Sequence, residues 1–262
     1  MRGAARWGRH LARAVRFGPA WAADYAYAAA WQARAAVDRT APDAYRGAPT
    51  ASETACQVLL IPGVYETWQF LRPVARLLRD HGHEVHVLSD LRRNTAPIPE
   101  SAQLASRYLD DHDLSDVVVV AHSKGGLIGK HLMVDDATRG EDARVRCMIA
   151  ISTPFSGSPY ARLVPIPNLR MFSPSHAGLR TLAANLAVNA RITSVYGQFD
   201  PHIPDGSRLD GAHNVELPSA GHFRILSSPR LLAMLPALVV CRCAECRDPA
   251  TVEHGNDLPH RR

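Results

Sequence analysis

The sequence predicts a single α/β domain with a mostly parallel sheet of about six strands flanked by helices, and three observations lead to it. Strand-like and helix-like segments alternate from residue 56 to residue 240, a pattern that implies crossover connections between parallel strands. Residues 117–120 are four consecutive valines, as expected of a strand buried on both faces. Small residues follow the valines, and they permit a very sharp turn from strand to helix.

The individual elements follow from local hydrophobic periodicity. Strands are predicted at residues 56–61, 84–88, 117–121, 146–151, 192–196 and 214–217, and helices at residues 70–78, 102–109, 125–134 and 229–240. Residues 154–190 interrupt the alternation and are predicted to form a cap or lid. The main domain is therefore placed at residues 55–240, with a Cys-containing tail at residues 241–262.

The first 39 residues are predicted to form a basic amphipathic and Ala-rich helical segment, followed by a linker at residues 40–54. Five arginines spaced by four, three, four and three residues share one helical face, opposite Trp7, Leu11 and Val15. Such a helix either makes a peripheral membrane contact through residues 1–17 or packs its apolar side on the domain.

Several features bound the cellular setting of the chain. The apolar stretch of residues 17–31 is too short for a bilayer and contains Asp24. Gly18 and Pro19 are expected to break the basic helix that precedes this apolar stretch. A cytoplasmic protein, peripheral on a membrane if residues 1–17 bind one, is favoured over a secreted one.

Neither nucleic acid nor a metal is expected as a partner. The formal net charge is +5, but the sequence has neither zinc-finger spacing nor an RNA-binding aromatic motif that would indicate a nucleic-acid partner. The five cysteines do not suggest a disulfide framework, and Cys56 and Cys147 are expected to be free thiols at strands. Reduced surface thiols are favoured over a zinc or redox site for the remaining three, Cys241, Cys243 and Cys246.

Ser123 lies at the tip of the sharp turn in the motif Ala-His-Ser-Lys-Gly-Gly, where a strained corner would expose its hydroxyl as a nucleophile. A serine nucleophile needs a histidine as base and an acid to orient it. Asp200 and His222 each follow a later predicted strand, and catalytic groups of parallel sheets collect at the carboxyl ends of strands.

Other residues could compete for these roles. Asp205 and Asp210 could replace Asp200 only if their loop folds back, and His202 is expected at the surface or behind the catalytic groups. His122 is expected to point away from the nucleophile. The His-x-His-x-x-His group is interpreted as a turn histidine followed by partly exposed strand histidines rather than as a metal site; its members are His81, His83 and His86.

Backbone N–H groups are needed to hold the oxyanion of an acyl-transfer intermediate. Lys124 follows the nucleophile and supplies one candidate N–H. The turn after the first strand supplies the other, with Val64 preferred and Tyr65 as the alternative. The side chain of Lys124 is expected to face solvent or pair with the cap.

Five segments together resemble the α/β-hydrolase fold, most closely the lipase and esterase group whose nucleophile motif begins with alanine. They are Leu-Leu-Ile-Pro-Gly, Ala-His-Ser-Lys-Gly-Gly, Ile-Ser-Thr-Pro-Phe-Ser-Gly-Ser, Phe-Asp-Pro-His-Ile-Pro and Ala-Gly-His-Phe. The resemblance implies Ser123 as nucleophile, Asp200 as acid and His222 as base. It also implies Val64 and Lys124 as oxyanion donors.

The expected function is hydrolysis of carboxylic esters, including lipid acyl esters, through an acyl-enzyme on Ser123 and without a cofactor. The same acyl-enzyme could serve a thioesterase or an acyltransferase. A membrane-surface binding protein that has the fold without the chemistry is the alternative from another class.

Overall fold

The structure is a computed structural model that describes residues 17–47, 55–163 and 166–245, apart from the side chains of Pro167 and residues 241–245. The strands are β1 (Gln57–Ile61), β2 (Glu84–Val87), β3 (Val117–His122), β4 (Val145–Ile151), β5 (Ile192–Phe199) and β6 (His213–Ala220). The α-helices are α1 (Gly18–Val37), α2 (Arg72–Asp80), α3 (Ile98–Asp111), α4 (Lys124–Asp136), α5 (Pro167–Arg170), α6 (Ala177–Ala184) and α7 (Pro229–Glu245).

All six strands pair in parallel, in the order β2-β1-β3-β4-β5-β6. The predicted fold class is therefore confirmed. Because β1 lies between β2 and β3, the direction of strand addition reverses between β1 and β3. A crevice at the carboxyl ends of two such strands is the usual ligand site of an open α/β sheet.

The core has two apolar clusters, one on each face of the sheet. Successive strand residues point to opposite faces, so Leu59 and Ile61 of β1 join one cluster while Val58 and Leu60 join the other. The first cluster includes residues of α3 and α4, and the second includes residues of α2 and α7. Every residue of β3 is buried, as expected of a strand covered on both faces.

The predicted cap lies between β4 and β5. It contains a short 3-10 turn, Pro159–Arg162, followed by α5 and α6. Phe155, Phe172, Leu179 and Leu182 anchor the segment in the first apolar cluster. The cap therefore packs on the domain through its own buried side chains.

Helix α1 begins at the residues that were expected to break it. Gly18 and Pro19 form its first turn, where the fixed φ of proline suits a helix start and its missing N–H costs nothing. Ala28 and Trp31 pack against the second apolar cluster. None of the described helices has the length and apolarity that a membrane crossing requires. The predicted basic helical face lies outside the described residues.

Two further expectations concern residues beside β1. Tyr45, in the segment predicted as a linker, ends a short 3-10 turn and is buried in the second cluster. Cys56 is disulfide-bonded, so the expectation of a free thiol there is wrong. It packs in the same cluster as Val239 of α7, a long-range proximity that strand periodicity does not reveal. The side chains of the other predicted surface thiols, Cys241, Cys243 and Cys246, lie outside the described part of the chain.

Candidate active site

Ser123 occupies the junction between β3 and α4 with φ 52° and ψ −119°. This left-handed backbone is strained for a residue with a Cβ, and such strain is typical of functional turns. Gly125 and Gly126 make the turn sterically possible. A Cβ on Gly125 would lie 2.2 Å from the carbonyl oxygen of Ile61, and one on Gly126 would lie 1.9 Å from Oγ1 of Thr153.

The structure brings Ser123, His222 and Asp200 together. Nε2 of His222 lies 2.9 Å from Oγ of Ser123, and Nδ1 lies 2.7 Å from Oδ2 of Asp200. All three residues are buried. The other carboxylate oxygen of Asp200 accepts the N–H groups of His202 and Ile203 at 2.8 and 3.0 Å. Asp200, rather than its rivals Asp205 and Asp210, is thus the acid that contacts the histidine.

The charges of this pair stabilise each other. Burial alone would raise the pKa of Asp200, but the charge of His222 and the hydrogen bond between them hold it below the usual value. Burial alone would lower the pKa of His222. The charge and hydrogen bond of Asp200, together with the charges of Glu66 and Asp24, raise it instead. His222 is therefore a stronger base than an ordinary histidine.

The turn after β1, residues 62–66, is called the β1 turn below. Val64 and Tyr65 border the same cavity as Ser123, so both alternatives for the second oxyanion donor lie near the candidate nucleophile. The N–H of Gly63 is already bound to Oε2 of Glu66 at 2.7 Å. The choice between the N–H groups of Val64 and Tyr65 stays a prediction, as does the role of the Lys124 N–H.

Two side chains that flank the nucleophile hold the β1 turn, and one of them is His122. Its Nδ1 lies 2.8 and 3.0 Å from the carboxylate oxygens of Glu66. Its Nε2 lies 2.9 Å from the backbone carbonyl oxygen of His222, which can only accept, so Nε2 carries a hydrogen. Through one imidazole ring, the β1 turn is tied to the loop of the candidate base.

Lys124 is the other flanking residue, and the expectation that its side chain faces solvent is wrong. The side chain is fully buried, because the start of α4 lies beneath the loop that follows β2. Its Nζ donates to O and Oδ1 of Asn94 at 2.8 and 2.9 Å and to the carbonyl oxygen of Ala96. Asn94 in turn donates to the carbonyl oxygen of Pro62 at 2.7 Å.

His202 lies beside the candidate base and also lines the cavity. Its ring centroid is 4.7 Å from that of His222. Burial, reinforced by the positive charge of His222, lowers the pKa of His202 to about 4. His202 is therefore neutral at neutral pH, and it does not repel a positive charge on His222.

Helix α1 reaches both loops of the site, a role that its sequence pattern did not reveal. The fully buried carboxylate of Asp24 accepts three backbone N–H groups, those of His222, Phe223 and Arg224, at 2.7, 2.9 and 2.8 Å. Gln32 donates to the carbonyl oxygen of Tyr65 at 2.8 Å. The acid that interrupts the apolar stretch in the sequence is the only signal that could have indicated this contact.

Ser123 opens into a cavity of about 680 Å³, a size typical of small-molecule sites. Aromatic and aliphatic side chains dominate its lining, and they come from three parts of the chain. Trp21, Tyr25 and Ala28 belong to α1, Phe70 follows the β1 turn, and Leu169 and Phe172 belong to the cap.

The histidine group at β2 has a structural role. His83 and His86 are buried rather than partly exposed, because His83 accepts the N–H of Cys56 and His86 packs against Tyr108. Within the described residues, no group of three or more His, Cys, Asp or Glu side chains could hold a metal ion.

No protein-family model and no curated protein matches the chain. Solved structures do resemble it. The lipase BlEst2 of Bacillus licheniformis in its mature form is similar with a TM-score of 0.60 and 13% identity, over 74% of this chain and 96% of that one.

Two further solved structures are similar at lower scores. A predicted CIB-like hydrolase from Thermoplasma acidophilum has a TM-score of 0.51 and 12% identity, over 73% of this chain and 89% of that one. An α/β-hydrolase enzyme from the sediment metagenome of the Mar Chica lagoon, Morocco, has a TM-score of 0.51 and 13% identity, over 70% of this chain and 90% of that one. Together with the sheet topology, these likenesses show that the chain has the α/β-hydrolase fold.

Proposed function

We propose that the chain is a serine hydrolase that cleaves carboxylic esters, with lipid acyl esters as its substrate class. The observation that carries the proposal is the continuous line of hydrogen bonds from Asp200 through His222 to Ser123, beside an apolar cavity. Likeness to a lipase in fold supports the same reaction class, although fold alone does not determine chemistry.

In the proposed mechanism, Oγ of Ser123 attacks the ester carbonyl carbon while Nε2 of His222 accepts its proton. The N–H groups of Lys124 and Val64, or Tyr65 in place of Val64, stabilise the oxyanion. His222 then protonates the departing alcohol, which leaves an acyl group on Ser123. Water activated by His222 releases the acid and restores the serine.

The lipid part of the proposal is supported by the lining of the cavity. Its side chains are mostly aromatic and aliphatic, so an apolar chain would gain free energy by leaving water for this site. A substrate with a charged group beside the ester would lose hydration without recovering it from such a lining.

Replacement of Ser123 by alanine tests the proposed reaction. Ser123→Ala is expected to lower kcat on short p-nitrophenyl esters by at least about a thousandfold, because the remaining groups cannot form an acyl-enzyme. A fluorophosphonate probe should label the wild type but not this variant. Ser158→Ala, which removes another serine hydroxyl of the same cavity, is the labelling control.

Two outcomes would contradict the proposed function. Full esterase activity in Ser123→Ala would remove Ser123 from the reaction. A wild-type chain that remains unlabelled by the probe would favour the non-catalytic binding protein, because such a protein contains no activated serine.

We also propose that residues 1–17 contact an anionic membrane surface. The predicted arginine face of this segment supports this, and so do Trp21 and Tyr25, which follow in the sequence on α1 and are 37% and 47% exposed. Deletion of residues 1–16 should reduce sedimentation with anionic liposomes while esterase activity reports that the domain is folded. Unchanged sedimentation of an active deletion variant would contradict the proposal.

A further inference from the structure

One face of α1 forms a side of the cavity that contains Ser123. Trp21, Tyr25, Ala28 and Gln32 all line the cavity, and their spacing of four, three and four residues places them in a single stripe along a helix. The neighbouring Ala22, Ala29 and Ala30 are exposed. The helix therefore presents one face to the site and another to solvent.

This face is held in place by hydrogen bonds to both loops of the site. Asp24 accepts three N–H groups of the loop that carries His222, and Gln32 donates to the β1 turn. Before the first turn of α1, Phe17 stacks on Phe199 with ring centroids 4.6 Å apart. A buried carboxylate that satisfies three donors is costly to pull away, so α1 is a fixed part of the site.

The loop that meets α1 is shaped to receive the helix. Gly221 has φ 119°, and a Cβ at this position would lie 2.5 Å from Oδ1 of Asp24. Any side chain there would separate the histidine loop from the helix. The glycine before His222 thus permits the close contact between α1 and the candidate base.

Two polar side chains of the lining, Gln32 and Ser158, are engaged within the protein. The side-chain amide of Gln32 binds the backbone of Tyr65, and the hydroxyl of Ser158 donates to the carbonyl oxygen of His202 at 2.6 Å. The apolar side chains of Phe70, Leu169 and Phe172 line the same cavity. An occupant of the cavity is therefore held mainly by apolar contact.

Ala28 is the smallest side chain of the α1 stripe, between the aromatic rings of Tyr25 and Trp21 on one side and the amide of Gln32 on the other. A small residue here leaves space in the cavity that a larger aliphatic side chain would fill. Ala28 is partly exposed and packs at the margin of the second apolar cluster, so a larger residue can extend into the cavity rather than into the closely packed core.

We infer that α1 is the surface against which the larger apolar group of the ester binds, and that Ala28 sets how long that group can be. The inference rests on the proposed ester hydrolysis and names α1 as its specificity element. The bound group is either the acyl chain or the alcohol of the ester, since both flank the carbonyl carbon that Ser123 attacks.

A graded pair of variants tests this inference. Ala28→Val and Ala28→Leu are compared with Ala29→Leu, which adds the same aliphatic group to the exposed face of the same helix. One substrate series varies the acyl chain of p-nitrophenyl esters from acetate to dodecanoate. The other varies the alcohol of acetate esters over the same lengths.

The ratio of kcat/KM for long over short substrates is expected to fall by about tenfold or more in Ala28→Leu, and by less in Ala28→Val, in one of the two series. Ala29→Leu should reproduce the wild-type ratio. The series that changes identifies which group lies against α1. Thermal unfolding and fluorophosphonate labelling show that each variant is folded with an accessible serine, and Ala28→Val serves if Ala28→Leu fails to fold.

Ratios that match the wild type in both series for folded Ala28 variants would overturn the inference. If Ser123→Ala is inactive in the same assays, the proposed function stands and only the role of α1 fails. If Ser123→Ala retains full activity, the proposed function itself fails, whatever the Ala28 variants do.

Discussion

The residues on either side of Ser123 support the β1 turn from two directions. His122 contacts it through Glu66, and Lys124 contacts it through Asn94. Both connections are buried hydrogen bonds, which are strong only while every partner is present. The nucleophile and the turn that carries the candidate oxyanion donors are therefore held at a fixed separation.

Replacement of Lys124 by methionine should destabilise the protein. Lys124→Met leaves two oxygens of the buried Asn94 and the carbonyl oxygen of Ala96 without their donor, and we expect the free energy of unfolding to fall by about 1–3 kcal/mol. Burial lowers the pKa of Lys124 to about 8, so the side chain is still charged at pH 7. Urea unfolding at pH 7 measures the change.

Lys130 provides a matched control on the same helix. It is also fully buried, its pKa is also lowered to about 8 by burial, and its Nζ has no hydrogen-bond partner among the described residues. Lys130→Met removes a buried charge without orphaning an acceptor, so stability should be unchanged or higher. Equal losses in the two variants would contradict the role assigned to the Lys124 contacts.

At the scale of elements, the sequence predicted what local periodicity and strand ends reveal. Four valines indicate a buried strand, and Asp200 and His222 each follow a strand, so their meeting with Ser123 could be anticipated from parallel topology alone. The contact between Asp24 and His222 joins residues 198 positions apart. No local pattern encodes such a distance, which is why α1 was assigned to a separate segment.

Glu66 and Asn94 were missed for a related reason. Each is a polar residue in a loop, and sequence alone does not distinguish a solvated loop residue from a buried one. Only the folded chain shows that both are buried and that Asn94 has a left-handed backbone with φ 50°. The burial of Lys124, whose Nζ donates to Asn94, was equally hidden.

We predict that Asp24 positions His222 through the hydrogen bonds from α1 to its loop, and that Asp24→Asn alters His222 in two ways. The asparagine oxygen can still accept from Phe223 and Arg224, but its NH₂ group would face the N–H of His222. We expect kcat to fall by about ten- to a hundredfold, since small misplacements of a catalytic group have effects of this order. KM should change little because the cavity lining is retained.

The second effect of Asp24→Asn is on pH dependence. In the proposed mechanism His222 must be neutral to accept the serine proton, so kcat/KM is expected to decline as the pH falls through the pKa of His222. Burial lowers that pKa, but the charges of Asp200, Glu66 and Asp24 raise it overall. Loss of one of these charges should move the acid limb of kcat/KM to lower pH.

Asp38→Asn is the control for the charge change. Asp38 follows the last turn of α1 and pairs with Arg72 at 2.8 Å, away from the residues that line the cavity. Asp38→Asn should leave the acid limb of kcat/KM at the wild-type pH. If the acid limb of Asp24→Asn is also identical to that of the wild type, Asp24 only stabilises the fold.

For the molecule as a whole, the site is assembled by covering the carboxyl edge of one sheet. The direction in which strands are added to the sheet reverses between β1 and β3, and this brings the β1 turn beside Ser123. Helix α1 and the cap close over both. This covering buries the ring of His202, while contacts around β2 bury His83 and His86. Burial is the main cause that lowers the pKa values of His83, His86 and His202.

These buried histidines should make the protein sensitive to acid. A histidine whose pKa is lower in the folded than in the unfolded chain takes up its proton mainly on unfolding. Stability is therefore lost as the pH falls below about 6.5, the pKa of histidine in the unfolded chain. The raised pKa of His222 acts in the opposite sense, because its stabilising effect is complete below that value and declines as the pH rises.

His202 should dominate this loss of stability, because its pKa falls furthest, to about 4. Its share of the loss begins near pH 6.5 and is complete only near pH 4, where the folded chain also binds the proton. We expect the free energy of unfolding, measured in urea at pH 7, 6 and 5, to decline less steeply in His202→Gln than in the wild type. Parallel declines would show that protonation of His202 is not linked to unfolding, and would assign the acid sensitivity to the histidines of β2.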